Sequence, residues 1–322
     1  MSADAVPGGP IPGRHSLAQV GEASPAAAGV IHDRGYRRYD GERIGRPQIV
    51  RALCWHSFRS AFGIGRGAKA KIVPIITFVA MCLPAVINTI AVARGGAQVV
   101  DYGTYTFPMR VVIMTIFLAA QAPELVSRDL RSRVLPLYFS RPLRRGDYPL
   151  AKYIAFTLAC LAMVEIPLLL LYLGNIISAG GGHAVWLQTQ QLAGGLAVGL
   201  ALAVLLSAIG LALASMSGRR AYATGAVAIF SFFTWTLTLI IDKTSQAHPG
   251  VVTGPVTSGQ RLAGLINPFT VVDGVRQWLG GTAAGPLSRP GHYGAVYGVL
   301  FLVLLAASLT VFATRYRRAN VS

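Results

Sequence analysis

Five stretches of about twenty or more residues carry almost no charge, and this feature constrains the chain more than any other. Ile72–Ala93, Leu192–Met216, Ala221–Ile241 and Tyr293–Ala313 contain no Asp, Glu, Lys or Arg, and Tyr153–Ile177 contains only Glu165. A helix needs roughly 20 apolar residues to cross the hydrocarbon core of a bilayer. Inside that core each backbone N–H and C=O must be paired within its own segment, so runs of this kind fold as transmembrane helices. A sixth run, Thr104–Pro123, is interrupted by Arg110, which lies near one end where a long side chain can reach the headgroups. The expected fold class is all-α: a polytopic membrane protein with six transmembrane helices, at about 72–93, 104–123, 151–177, 192–216, 221–241 and 293–313. With 53% hydrophobic and 13% charged residues and a mean hydropathy of +0.53, a soluble domain is excluded.

The net charge of +17 invites a nucleic-acid reading, but its distribution opposes it. If both termini are cytoplasmic, 23 of the 29 Lys and Arg fall on that side: before the first span, in residues 123–152, at Arg219 and Arg220, and after the last span. Arg94, Arg110, Lys243, Arg261, Arg276 and Arg289 are the six elsewhere. This is the positive-inside asymmetry, so the basic charge is assigned to topology and to contact with membrane lipid, with no nucleic acid as partner.

Residues 1–46 are rich in Gly, Ala, Pro and Arg without apolar periodicity and are expected to form a disordered cytoplasmic tail; no apolar core follows a charged start as in a signal peptide. In Pro47–Gly63, Val50, Leu53, Cys54, Phe58, Ala61 and Phe62 recur at helical spacing. Residues 47–71 are therefore expected to hold an interfacial amphipathic helix and a linker, cut off from the first span by Gly63, Gly65 and Gly67. Residues 72–318 form the transmembrane domain, with a cytoplasmic loop at 124–150 and an outer segment at 242–292. Ser178–Gln191 reads as a Gly-rich loop. Asn267-Pro268 reads as a helix start, and Phe269, Val272, Val275 and Leu279 then fall on one face beside Trp278. That spacing predicts a helix resting on the outer membrane surface, ended by Gly280-Gly281. Cys54, Cys82 and Cys160 have no partner spacing and read as structural filler, with no metal site.

No G-x-x-x-x-G-K-[ST] is present, so no Walker loop holds nucleotide phosphates, and neither H-E-x-x-H nor a Ser-His-Asp set supports an enzyme. The chain is expected to have no catalytic residues and no cofactor of its own. The segment Gln121–Lys152 is dense in charge between two apolar runs. Leu125, Asp129, Leu130 and Val134 open a helical pattern that Pro136 should end. Aliphatic knobs among charges suit docking into a cleft on another protein; the alternative is a solvated loop whose arginines only set topology.

This segment resembles the cytoplasmic loop of type-2 ATP-binding-cassette permeases, bacterial and exporter-like. The residues that match are Glu124, Arg128-Asp129, Leu135, Leu137-Tyr138, Ser140-Arg141-Pro142, Tyr148 and Lys152. Two positions depart from the family pattern: Ser132-Arg133-Val134 stands where Gly-Thr is common, and Ala151 replaces Gly before Lys152. The order of elements over residues 47–318 also fits, although only the loop is specific. The resemblance implies a permease subunit in the bacterial plasma membrane, paired with a second permease chain, identical or homologous. It implies alternating access driven by two separate ATPase subunits, which would hold the ATP and Mg, and transport that is usually export. Glu124, Arg128, Asp129, Leu130, Arg133, Val134, Leu137 and Tyr138 would couple to the ATPase.

Glu165 lies near the middle of the third span, where an ionisable group normally faces the bundle interior, paired or functional. It contacts substrate or a cation, or else fastens neighbouring helices. In the fourth span Gly195, Gly199, Ala203 and Ser207 recur every fourth residue, a stripe that permits close packing. The fifth span is polar for its place; with the second it faces the dimer axis in the family. Gln121, Glu165, Thr224, Ser231, Phe232 and Trp235 are the expected path residues. An ion-driven transporter or channel, or a non-transporting membrane sensor or assembly subunit, are the alternatives.

Overall fold

The structure is a computed structural model that describes residues 45–96, 100, 102, 107–131, 143–144, 146–246, 256–280, 287 and 290–318; the side chains at 107, 108, 128, 130, 131, 317 and 318 are outside the description. Among the described residues there is helix and no strand. The elements are α1 (Arg46–Ala61), α2 (Ala68–Ala93), α3 (Phe107–Arg131), α4 (Asp147–Ile177), α5 (Gly182–Ser215), α6 (Arg220–Thr244), α7 (Ser258–Ala263), α8 (Pro268–Trp278) and α9 (Gly294–Arg318), the last preceded by a 3-10 turn at Gly291–Tyr293.

Six of these helices, α2 to α6 and α9, are long and apolar enough to cross a membrane. The chain is therefore a polytopic membrane protein. α4 has 31 residues and α5 has 34. At 1.5 Å per residue they reach about 46 and 51 Å, well past the roughly 30 Å hydrocarbon core.

α5 is the hub. It packs on α4, α9, α3, α6 and α8. Its small residues explain the closeness: Gly195 lies against Leu168 and Tyr102, Gly199 against Glu165 and Val164, and Gly210 against Phe156 and Leu118. Ser207 shares a 2.7 Å hydrogen bond with Thr157 of α4. α2 packs on α4 and α3, while α6 packs on α3 and α5. The outward faces of α2 and α9 carry exposed Ile75, Ile76, Val79, Val299, Leu302 and Val303, a surface that needs lipid rather than water.

α1 is separate from α2. The turn between them includes Gly63 and Gly65 at φ 68° and 86°. A side chain at Gly63 would place its Cβ 2.5 Å from the Ala70 carbonyl oxygen, so only glycine fits. α1 buries Leu53, Ser57 and Ala61 against the bundle, chiefly against α4.

Two expectations are corrected and one is extended. The fourth span does not begin at 192 after a loop; α5 starts at Gly182. Gln188 and Thr189 lower the hydropathy there, yet both are bonded across to α4, through Asn175 and Tyr172. The second span and the helical pattern that opens at Leu125 are one helix, since α3 runs through Pro123 to Arg131; a proline deletes one N–H without obliging the helix to stop. Finally, α8 does not rest on a surface. Pro268 to Gly274 are all buried. The Asn267 amide donates to Thr234 Oγ1 at 3.1 Å, ten residues inside the end of α6 and so about 15 Å along it. α7 is held at that end: Thr257 Oγ1 donates to the Ser245 carbonyl at 2.6 Å, and the Gln260 amide reaches Asp242 at 3.4 Å. At its other end, α8 brings Trp278 against Gly294 and Gly298, at the start of α9. Residues 257–278 thus dip among α5, α6 and α9 and return, an arrangement tolerated where protein surrounds the backbone.

Candidate functional site

The described charges of the sequence-predicted coupling segment converge at one end of the bundle. Glu124, on α3, pairs with Arg66 of the α1–α2 turn and with Arg220 Nη1 at the start of α6, the latter at 2.9 Å. One turn further, Asp129 pairs with Lys152 Nζ of α4 at 2.8 Å and accepts a hydrogen bond from the Tyr148 hydroxyl. Lys152 is buried and lies over the Tyr148 ring. Tyr148 in turn packs on Tyr316 of α9 with ring centroids 5.2 Å apart. Arg46 of α1 grips Asp147 through two hydrogen bonds of 2.6 and 2.7 Å, and the Arg144 N–H donates to the same carboxylate at 2.9 Å. The hydrogen bond to Asp147 holds the Arg46 guanidinium above its ordinary range. Ser127 Oγ donates to the Ala214 carbonyl and Arg315 to the Ser215 carbonyl, closing the end of α5.

The root of the loop is therefore tied by charge and hydrogen bonds to α1, the α1–α2 turn, α4, α5 and α6, and packs a ring on α9. Of the other expected coupling residues, Arg128 and Leu130 lie on α3 with their side chains outside the description, and Arg133, Val134, Leu137 and Tyr138 lie outside the described residues. The sequence matched Glu124, Asp129, Tyr148 and Lys152 without showing that they meet. Arg46, Arg66, Arg220 and Asp147 were not singled out; lone charges at the lips of apolar runs are the signal that could have found them.

Deeper in the bundle, Glu165 projects from α4 onto the bare backbone of Gly199, where an added Cβ would come within 2.1 Å of its Oε1. Both carboxylate oxygens are buried and accept no hydrogen bond. The opposing charge comes from Arg110, buried on α3. Two ionisable residues of opposite sign inside apolar runs are the signal for such a pair. Gln121 is buried on α3, and Thr224, Ser231 and Trp235 are half-buried on α6. Phe232 instead points out of the subunit, with 53% of its surface exposed. Glu165 does not join the α6 residues, since α5 packs on both α4 and α6.

Ser231 lines a small cavity with Leu118, Leu206, Ile209, Phe230 and Asn267, closed over by the start of α8. At about 10 Å³ it has room for one water molecule. The described residues hold no cluster of three His, Cys, Asp or Glu able to bind a metal. Burial pushes the Cys54 thiol up, away from the reactive thiolate.

Comparison of the chain with protein-family models finds no match, and comparison with curated proteins finds no similar one.

Proposed function

We propose that this chain is the permease subunit of an ATP-binding-cassette transporter in the bacterial plasma membrane, acting as an exporter with both termini cytoplasmic. A second permease chain and two ATPase subunits complete it, and ATP and Mg belong to the ATPases. One observation carries the reading: the residues that bear the resemblance, Glu124, Asp129, Tyr148 and Lys152, sit in two ion-paired groups along α3 that bind the root of loop 124–150 to α4, α6 and the α1–α2 turn. Motion imposed on that loop reaches the spans through short, charge-assisted links rather than through a slack tether. α8, seated between α5, α6 and α9, is then the gate on the opposite side, and access alternates between the two.

The test is co-purification of the full chain with ATPase subunits from its native membrane, followed by ATPase and transport assays in nanodiscs. Leu130→Asp and Val134→Asp are expected to release the ATPase or uncouple hydrolysis from transport while the chain stays in the membrane. A chain that purifies without ATPase in every condition overturns the reading. A second reading, ion-driven transport, draws on the buried, unbonded carboxylate of Glu165 facing Arg110. It is favoured if Glu165→Gln abolishes gradient-driven flux in vesicles lacking any ATPase.

A further inference from the structure

α1 presents two unlike faces. One, with Leu53, Ser57 and Ala61, is buried on the bundle. The other carries Arg51, Trp55 and Arg59, all exposed and one helical turn apart. Trp55 is 60% exposed and, among the described residues, stacks only on Phe58, with ring centroids 5.7 Å apart. The helix contains no Asp or Glu. Its third arginine, Arg46, is taken by Asp147, whereas Arg51 and Arg59 form no ion pair among the described residues. Six residues after α1, α2 begins, and the exposed Lys69 and Lys71 add two cations beside the exposed apolar Ile64 and Ile72.

A large aromatic ring flanked by cations, on a helix that leads by a short turn into a membrane span, matches the chemistry of the headgroup layer. The indole sits at the boundary between acyl chains and headgroups, and the guanidiniums meet phosphates. We propose that this face of α1 binds anionic phospholipid headgroups of the membrane in which the chain sits. Arg51 and Arg59 stand about 12 Å apart along the helix, so they engage separate lipids on either side of Trp55. Charge complementarity selects the occupant: with two cations on α1 that form no ion pair among the described residues, two more exposed at the start of α2 and no acid in α1, the face discriminates against zwitterionic lipid. The inference needs only the membrane-spanning fold and stands apart from the ATPase reading.

The test uses the purified full chain in detergent, titrated with phosphatidylglycerol or phosphatidylcholine, with bound lipids counted by native mass spectrometry. The wild type is expected to retain phosphatidylglycerol in preference. Arg51→Gln with Arg59→Gln should weaken that binding by about 25-fold, about fivefold for each arginine. Arg51→Lys with Arg59→Lys should keep most of it, and Arg94→Gln, at the other end of α2, should leave it unchanged. A thermal melt of each variant reports folding separately. Equal binding of the two lipids overturns the proposal, as does an unchanged preference in the double Gln variant. If the double variant instead sheds a co-purified protein while its lipid binding is intact, the face belongs to a protein partner and the proposal is wrong.

Discussion

Gly274→Ala is the sharpest test of how α8 is seated. Gly274 faces Tyr297 of α9, and a Cβ there would lie 2.1 Å from ring Cδ1, 2.4 Å from Cε1 and 2.8 Å from Cγ. The ring cannot easily swing away: it is fully buried, and its hydroxyl donates to the Arg261 carbonyl at 2.6 Å. Gly264 crowds the other end, leaving only 2.2 Å between a Cβ at that position and the Tyr297 oxygen. Overpacking costs about 1–3 kcal/mol. The lost hydrogen bond adds about 1 kcal/mol. Alanine returns about 1 kcal/mol over glycine in a helix. The net destabilisation is about 1–3 kcal/mol, or a fall in melting temperature of about 2–12 °C. Circular dichroism melts in nanodiscs, all at one scan rate so that any irreversible step affects each variant alike, measure it. Gly225→Ala on α6 is the control; its Cβ meets nothing within 4 Å, so the change should be neutral or slightly stabilising. Gly274→Ala combined with Tyr297→Leu should cost less than the two changes summed, by about 1 kcal/mol or more. A Gly274→Ala protein that melts like the wild type, or strict additivity in the pair, refutes the packing argument.

Two further predictions concern the other joints. Asn267→Ala removes both the cap of α8, where Asn267 accepts from the Phe269 N–H at 2.8 Å, and the bond to Thr234; it should cost about 1–2 kcal/mol and speed amide exchange at Phe269–Val271. Thr234→Val keeps the cap and loses the bond to Asn267 together with the Thr234 hydroxyl's bond back to the Phe230 carbonyl; its effect at Phe269–Val271 should be the smaller, so equal exchange there in the two variants would show that the cap contributes nothing. Asp129→Ala strands the buried Lys152 and should destabilise by about 3–5 kcal/mol. Adding Lys152→Met should restore most of that loss in the same melt, and no restoration would mean that Asp129 acts otherwise than through Lys152.

Much of this fold is legible in the sequence because the bilayer imposes a length and forbids charge. Ile72–Ala93 and Ala221–Ile241 announce their helices by those two signals alone. Legibility fails where a helix does not meet lipid. The first ten residues of α5 include His183, Gln188, Thr189, Gln190 and Gln191, of which Gln188 and Thr189 bond to α4, so their mean hydropathy falls and they read as loop. α8 was recognisable as a helix from Asn267-Pro268, but its depth depends on partners more than 20 residues away in sequence, among them Thr234 and Tyr297. The same holds for the charges. The pattern identified Glu124 and Asp129 as special, whereas the residues that hold them, Arg66, Arg220, Lys152 and Tyr148, come from three other segments. Local spacing carries helix faces, and long-range pairing is invisible to it.

The length of α4 has a mechanical consequence. Its first residues, Asp147 to Lys152, are held by Arg46 and Asp129, while Pro167, lacking one helical hydrogen bond, divides the rod two thirds of the way along. The arm from Pro167 back to Asp147 measures about 30 Å. A bend of about 10° at the proline carries the Asp147 end some 5 Å, close to one full turn of helix, while residues beyond the proline hardly move. α4 is thus a lever with its fulcrum inside the bilayer and its handle outside, and the grip on the handle is ionic.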